Sequence, residues 1–199
     1  MKNFILAVFI LIGINYNCFS QQIYSTTESR EAIVYMNDGT TIEGILVNQT
    51  PFKANYVDIE LKDGIKKIKK NKINRLVVGS DEFKNMNVYN EKGTKILKEK
   101  KLLKLEVVGK ANLYSDSYLH SEAGRTNAYF YKRKVFYCHK ADEEALTLLH
   151  YDFDQLKKNQ EFKAVATQYF ADNSSVVEKI NKGQFTYKNI PTLVEEYNQ

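Results

Sequence analysis

The sequence predicts an α+β fold, with strands in its first two thirds and helices at its end. Two pairs, Asp38-Gly39 and Asp63-Gly64, separate short runs rich in β-branched residues. Asp-Gly in that position is a strong hairpin signal, because glycine supplies the positive φ of a tight turn. After Asn159, apolar residues recur three and four positions apart, as one face of a helix requires.

Residues 31–80, after an N-terminal tail at 21–30, are expected to form a small, strongly bent β-barrel. Two hairpins are followed by a closing strand at 73–78. Gly44, inside the second strand, indicates a bulge or the close approach of another backbone. The stretch resembles Src-homology-type and Sm-like small barrels, and this resemblance implies a fold without implying a ligand. The matching residues are Val34, Asp38, Gly39, Gly44, Leu46, Ile59, Gly64, Ile73 and Leu76.

The rest of the chain divides into a polar segment and a β-then-α segment. Residues 81–101 are polar and lysine-rich, which is typical of a linker or a long exposed hairpin. Residues 102–199 are expected to hold β-strands followed by three helices. The second helix is predicted to begin with a capping box at Ser175–Glu178, and the third at Asn189 with Pro191 in its first turn.

Residues 1–20 have the layout of a secretory signal peptide. Lys2 precedes an apolar run from Phe4 to Ile14, and small residues, Cys18 and Ser20, stand before Gln21. An apolar run of this length is too short for a comfortable membrane span, and no longer one follows. We therefore expect export to the periplasm or cell envelope, cleavage near Ser20-Gln21 and no transmembrane span in the mature chain.

Cysteine and tyrosine usage indicates packing. With Cys18 in the leader, Cys138 is the single thiol of the mature chain and cannot form an internal disulfide. We expect it to be a small buried hydrophobe. The strand tyrosines could form a glycan-binding strip, but aromatic residues in strands more often belong to the core. They are Tyr114, Tyr118, Tyr129, Tyr131 and Tyr137.

Positive charge is concentrated in the middle of the chain. The whole sequence has a net charge of +5, whereas residues 62–110 alone carry 15 Lys and Arg against 6 Asp and Glu. Lysine on an edge strand prevents pairing with other chains, and the same lysines could instead contact an anionic partner. The candidate anion-contacting residues are Lys66, Lys67, Lys69, Lys70, Lys72 and Arg75.

Motifs for catalysis and for cofactor binding are not found in the sequence. His120, His139 and His150 lack the spacing of metal ligands, and no nucleophile elbow or glycine-rich phosphate loop occurs. We expect no cofactor, no metal and no nucleic-acid partner. The acidic pairs are interpreted as a solvated turn, a helix cap and a solvated helix face, rather than as paired catalytic groups. They are Asp142-Glu143-Glu144, Asp152/Asp154 and Glu195-Glu196.

The chain, over roughly residues 30–198, resembles a family of exported Bacteroidetes proteins. The resemblance rests on the apolar run Leu102–Tyr114, the aromatic strands and helix after it, and the final Tyr187, Leu193 and Tyr197-Asn198. In that family the module often precedes an outer-membrane β-barrel, and the family has no agreed activity. The resemblance implies a fold and a location, and it assigns no site residue.

The resulting functional expectation is an exported envelope protein that acts by binding or assembly and is not an enzyme. Its partner would be an envelope protein or an anionic surface. Two alternatives stay open: a periplasmic partner of a separate outer-membrane protein, and an enzyme whose residues form no recognisable motif.

The leader generates the first prediction. Protein recovered from the envelope should have lost residues 1–20, because a signal peptidase cleaves after a small residue such as Ser20. Intact-mass measurement tests this. Full-length protein in the cytosol would contradict export.

Overall fold

The computed structural model describes residues 30–47, 55–123, 128–150 and 158–199. These residues form one ten-stranded sheet and three α-helices, so the α+β class with a β-rich core is confirmed. A short 3-10 turn, Lys70–Lys72, joins the fourth and fifth strands. The strands are β1 Arg30–Met36, β2 Thr41–Leu46, β3 Tyr56–Leu61, β4 Gly64–Lys69, β5 Ile73–Val78, β6 Asp81–Met86, β7 Lys101–Val107, β8 Ala111–Ala123, β9 Ala128–Lys140 and β10 Thr147–His150.

The sheet is antiparallel and open within the described residues. Its strand order is β10-β9-β8-β7-β6-β5-β1-β2-β3-β4, which makes β4 and β10 the two edges. The predicted barrel over residues 31–80 is not confirmed, since no described pairing closes β4 onto β5. The first five strands do share one apolar cluster, whose fully buried members include Val34, Val57, Ile59, Ile73 and Leu76.

The glycines of this first part lie close to where the sequence predicts them. Gly39 lies in the turn between β1 and β2 at a φ of 86°, and Gly64, at a φ of 130°, is the first residue of β4 and directly follows the two-residue turn Lys62-Asp63. Both hairpins are confirmed, with the second turn one residue earlier than the Asp63-Gly64 pair predicts. Asp38 Oδ1 accepts hydrogen bonds from the backbone N–H and the hydroxyl of Thr40, at 2.9 and 2.7 Å. A Cβ on Gly44 would overlap the Glu60 carbonyl oxygen on β3. The expected close backbone approach is therefore present.

The polar segment at 81–101 contains a strand of the sheet. Its first residues form β6, which pairs with β5 on one side and β7 on the other. Phe83 is buried although its neighbours are charged, because a strand at this position exposes one face and buries the other. The connection from β6 to β7 then reaches the residue before β10, where Val88 forms a parallel bridge with Leu146.

The helices are α1 Lys158–Tyr169, α2 Ser174–Asn181 and α3 Ile190–Tyr197. Asn173, rather than the predicted Ser175 box, caps α2: its Oδ1 accepts from Val176 N–H at 3.1 Å. Asn189 precedes α3 as predicted, but its side chain accepts from Thr186 N–H at 2.7 Å and so orders the incoming loop.

The strand pair β8–β9 presents a different core on each face. The register sets Leu113 opposite Cys138 and, one residue on, Tyr114 opposite Tyr137. Because side chains alternate along a strand, these two pairs lie on opposite faces. The Leu113–Cys138 face packs against the three helices, and the Tyr114–Tyr137 face against a smaller cluster that includes Leu103.

The C-terminus is attached to the β7–β8 turn by Asn198. Its amide group bonds both backbone groups of Ala111, accepting from the N–H at 2.9 Å and donating to the C=O at 3.0 Å. Gly109 permits this approach, since a Cβ there would collide with the Asn198 side chain. A side-chain amide thus pairs with the backbone as a neighbouring strand would.

This contact predicts a loss of stability in the variant Asn198→Ala. The unfolding free energy should fall by about 1–3 kcal/mol, because the N–H and C=O of buried Ala111 lose their partners. Urea denaturation measures the change. Gln199→Ala, which alters the exposed neighbouring residue, should leave the midpoint unchanged; equal midpoints for both variants would contradict the prediction.

Candidate functional site

Most of the predicted basic residues fall on an edge of the sheet. Lys66, Lys67 and Lys69 are exposed on β4, and Lys72 is exposed in the 3-10 turn that follows. Lys66 shares a face with buried Ile68, whereas Lys67 and Lys69 lie on the other, so both faces of β4 carry lysine as predicted. We refer to Lys66, Lys67, Lys69 and Lys72 as the lysine row.

The other two predicted residues, Lys70 and Arg75, have partners inside the protein. The Arg75 guanidinium carbon lies 4.2 Å from the centre of the Tyr35 ring, and Nη1 lies 3.7 Å from Glu82 Oε1. Burial lowers the pKa of the half-buried Lys70, and the charge of Asp116 on β8 opposes that shift. Lys70 and Arg75 are therefore less exposed than the lysine row and interact with groups of their own chain.

Cys138 is a buried core residue, as predicted. It has no exposed surface, and burial raises the pKa of its thiol well above the ordinary value, with the charge of Glu143 adding to the shift. Tyr114 and Tyr137 are each 2% exposed and belong to the core, not to a surface strip. Of the acidic candidates, Asp152 and Asp154 lie outside the described residues.

A pocket lies on the face of the sheet opposite the helices. It has a volume of about 360 Å³, and Val88, Leu97 and Leu148 are among its apolar walls. Lys101 and Tyr137 line it as well, and the β6–β7 connection adds the polar residues Asn90, Glu91 and Lys92. We call it the Lys101 pocket. Its size falls in the range of about 300–1,000 Å³ that is usual for small-molecule sites.

The Lys101 ammonium contacts Tyr137 and Asp116. Its Nζ donates to the Tyr137 hydroxyl at 3.0 Å and lies 3.7 Å from Asp116 Oδ2. The pKa of Asp116 is raised because its burial outweighs the attraction of Lys101 and Lys70. One carboxylate in a partly desolvated setting thus faces two ammonium groups.

The β6–β7 connection forms a well-ordered wall of this pocket. Tyr89 N–H donates to the Leu146 carbonyl at 3.0 Å, and Leu97 N–H donates to the Val88 carbonyl at 2.8 Å. Within the loop, Asn90 Oδ1 accepts from the backbone N–H of Thr94 at 2.9 Å. The pocket is therefore held open by backbone bonds and not only by side-chain packing.

A second polar cluster lies around Glu106 on the opposite face. Glu106 Oε1 accepts from the hydroxyl of buried Ser115 at 2.6 Å and from Lys134 Nζ at 2.8 Å. Lys104 Nζ lies 3.8 Å from Glu106 Oε2 and 2.8 Å from Asp81 Oδ1. Burial would raise the pKa of Glu106, but the bonds from Lys134 and Ser115 and the charges of Lys134 and Lys104 prevail and lower it.

A third cluster attaches the helices to the end of β9. Lys140 Nζ donates to the Tyr169 carbonyl and to Asp172 Oδ1, each at 3.0 Å, and lies about 5 Å from the ring centres of Tyr169 and Tyr197. The Tyr197 hydroxyl donates to Asp172 Oδ2 at 2.6 Å. The Tyr169 hydroxyl donates to Glu143 Oε2 at 2.8 Å, so Glu143 belongs to this structural network.

Sequence reasoning did not find the Lys101 pocket. Lys101, Asp116 and Tyr137 are 15 and 21 positions apart, and only the register of β7, β8 and β9 brings them together. One available signal was the alternation of side chains along each strand. Lys101 lies two residues before Leu103 and therefore shares its face, and Asp116 shares a face with Tyr114 for the same reason. A charge on the apolar face of each strand is unusual enough to mark a site.

Comparison with known proteins identifies no relative. The chain matches no protein-family model, and no curated protein or solved structure is significantly similar to it. None of the described helices is both long and apolar enough to cross a bilayer. Among the described residues, no group of three or more His, Cys, Asp or Glu side chains could hold a metal ion.

The Glu106 cluster predicts a pH-dependent stability. Because the folded-state pKa of Glu106 lies below its ordinary value of 4.5, its contribution is complete above that value and is lost as pH falls through the folded pKa. Glu106→Gln should cost about 1–3 kcal/mol near neutral pH. The difference from wild type should shrink below about pH 4.5.

Urea denaturation at several pH values measures this difference. The control is Glu178→Gln, which removes an exposed carboxylate paired with Lys182 on one helix face and should cost about 0–0.5 kcal/mol. A Glu106→Gln deficit that stays constant through the acid range would rule out the ion-pair explanation.

Proposed function

We propose that this protein is exported to the cell envelope and acts there by binding an anionic partner, without catalysis, through the lysine row. The sequence of residues 1–20 supports the location, as does the resemblance of roughly residues 30–198 to exported Bacteroidetes proteins. The role of the lysine row is supported by one structural observation, which is the contrast between these lysines and those elsewhere in the sheet.

Lysines in the middle of the sheet have carboxylate partners. Lys84, Lys101, Lys104 and Lys134 each lie within 4 Å of a described Asp or Glu oxygen. No such ion pair between described residues involves the lysine row. These four exposed cations, which lie on both faces of β4 and in the turn after it, therefore present most of their charge to solvent, where they can attract an anionic surface.

Protection of the sheet edge is the competing explanation. β4 is an edge strand, and lysine at an edge discourages pairing with a second chain. Lys72 lies in the turn after β4 and guards no strand edge, so edge protection does not account for it, whereas a surface for anions does. Hydrogen bonds from Thr40, with a smaller contribution from the charge of Lys72, lower the pKa of Asp38, so Lys72 also lies near a carboxylate of the β1–β2 turn.

The first five strands are proposed to act as one small-barrel-like unit that presents the lysine row. The apolar cluster of this part supports this, because most of its buried members lie on these five strands and strands with a common core tend to open together; Phe83 of β6 and Leu102 of β7 belong to it as well. Hydrogen exchange tests it: amides of β1 to β5 should show one common opening free energy. Separate values for β3–β4 and β5 would argue against a unit.

Binding to anionic vesicles or to a polyanionic glycan tests the lysine row. The wild-type protein should bind at low salt and lose most binding near about 0.15 M salt, because exposed charges are screened beyond about 8 Å there. Replacing the lysine row with Gln should abolish this binding. Surface changes of this kind usually alter stability by only about 0.5 kcal/mol each, so the fold should persist.

A matched control variant removes the same charge elsewhere. Lys92, Lys95, Lys98 and Lys100 are exposed in the β6–β7 connection, and their replacement by Gln should leave vesicle binding largely intact. Equal loss in both variants would mean that only net charge matters. Unchanged binding together with aggregation of the lysine-row variant would instead assign these lysines to edge protection.

A further inference from the structure

Half of the backbone groups of the edge strand β4 point away from the sheet. Directly after β4, Lys70 N–H donates to the carbonyl of Asn55, the residue before β3, at 3.0 Å. In an antiparallel pair, successive residues direct their N–H and C=O groups alternately toward the partner strand and away from it. The even-numbered residues of β4 therefore bond β3, and Ile65, Lys67 and Lys69 direct their backbone groups outward.

The opposing strand indicates the same direction independently. Lys67 is paired with Asp58 of β3, and the Asp58 carbonyl accepts from the N–H of Val47, directly after β2, at 3.0 Å. Asp58 thus directs its carbonyl away from β4, as the residue opposite an outward-pointing Lys67 must. Among the residues that the structure describes, no strand pairs with β4 on its outer side. The N–H and C=O groups of Ile65, Lys67 and Lys69 are therefore in position to pair with a further strand.

The side chains along this edge determine which strand fits. Lys67 and Lys69 share one face of β4 with Ile65, which is 59% exposed, and Lys66 is exposed on the other face. A second copy of β4 would set lysine against lysine, and like charges directly opposite each other destabilise a strand pair. A strand with acidic residues opposite Lys67 and Lys69 and an apolar residue opposite Ile65 would instead be attracted.

We propose that β4 binds an extended acidic segment of another protein as an additional antiparallel strand. This inference rests on the proposed function and names its anionic partner, a polypeptide in which acidic and uncharged residues alternate. The lysine row attracts the segment, and the outward backbone groups of β4 bond it. Lysines alone discriminate little among anions, whereas a row of backbone donors and acceptors selects an extended polypeptide over a vesicle or a glycan.

Hydrogen exchange of the whole protein with a designed heptapeptide, Thr-Glu-Val-Glu-Thr-Val-Thr, tests this pairing. Its glutamates lie opposite Lys69 and Lys67, and its second valine lies opposite Ile65. At saturating peptide, exchange at these three amides should slow at least about tenfold, because a bonded amide exchanges only when its bond opens. The amides of Lys66 and Ile68 already bond β3, so they should barely change and serve as internal controls.

Methylation of peptide nitrogens separates strand pairing from attraction between charges. N-methyl groups on both glutamates remove the N–H groups that would donate to the Lys67 and Lys69 carbonyls, and they leave the charge of the peptide unchanged. Affinity should fall about tenfold to a hundredfold, because two hydrogen bonds are lost. The matched control is methylated at the first valine and the central threonine, whose N–H groups point away from β4, and it should bind nearly as the parent peptide does.

Exchange of the charges tests the pairing of side chains. A protein carrying Lys67→Glu and Lys69→Glu should lose the acidic peptide and bind the peptide in which both glutamates are replaced by lysine. The matched control carries Lys98→Glu and Lys100→Glu, at exposed positions of the β6–β7 connection, and should keep the preference for the acidic peptide. The methylated peptides require no change in the protein, so the test does not depend on how a protein variant folds.

The outcomes distinguish a failure of this inference from a failure of the proposed function. Binding to anionic vesicles without slower exchange at Ile65, Lys67 and Lys69 would overturn strand pairing and leave the lysine row as an anion-binding surface. Equal affinity of the parent and glutamate-methylated peptides would overturn strand pairing as well. A wild-type protein that binds neither the acidic peptide nor any anionic vesicle or glycan would overturn the proposed function together with this inference.

Discussion

The register of β8 against β9 is the constraint on which the other features depend. Thirteen residue pairs, from Ala111–Lys140 to Ala123–Ala128, fix which side chains face the helices and which face the pocket. A slip by one residue would turn Cys138 and Tyr137 to the wrong faces, because side chains alternate along a strand. The same register sets Lys140 at the end of β9, where it meets Asp172 and the tyrosines of the helical part. Sheet, helices and pocket are thus positioned by one pairing.

Whether a lysine has a carboxylate partner depends on how buried the lysine is, more than on the number of charged residues nearby in the sequence. Among the described side chains in the interior of the sheet, Lys84, Lys101, Lys104 and Lys134 each lie close to a carboxylate, since an unpaired charge in a desolvated place costs several kcal/mol. Glu106 accepts a hydrogen bond from Ser115 and forms ion pairs with Lys104 and Lys134. Asp116 is attracted by the charges of both Lys101 and Lys70. At the β4 edge water solvates the ammonium groups, so no acceptor is required there. The excess of positive charge in residues 62–110 therefore appears where solvation permits it.

Local features were predictable and long-range ones were not. Asp38-Gly39 and Asp63-Gly64 contain their own turn signals, so both hairpin turns could be placed from the sequence to within one residue. Asn173 was missed as a helix cap because a capping-box pattern two residues later matched the same rule. Closure of residues 31–80 into a barrel depends on how strongly the strands bend, which no residue pattern specifies. The Lys101 pocket depends on the register of three strands and on a connection that composition alone could not place.

The lysine row and the Lys101 pocket differ in how their charge is solvated. Ammonium groups on β4 are surrounded by water and salt, so they can attract any dense array of anions but discriminate little among them. Lys101 is only partly exposed and is bonded to the Tyr137 hydroxyl, so its position is fixed by the strands that carry it. The same sheet therefore holds solvated charge at its edge and positioned charge in its interior, and the difference follows from where each strand lies in the strand order.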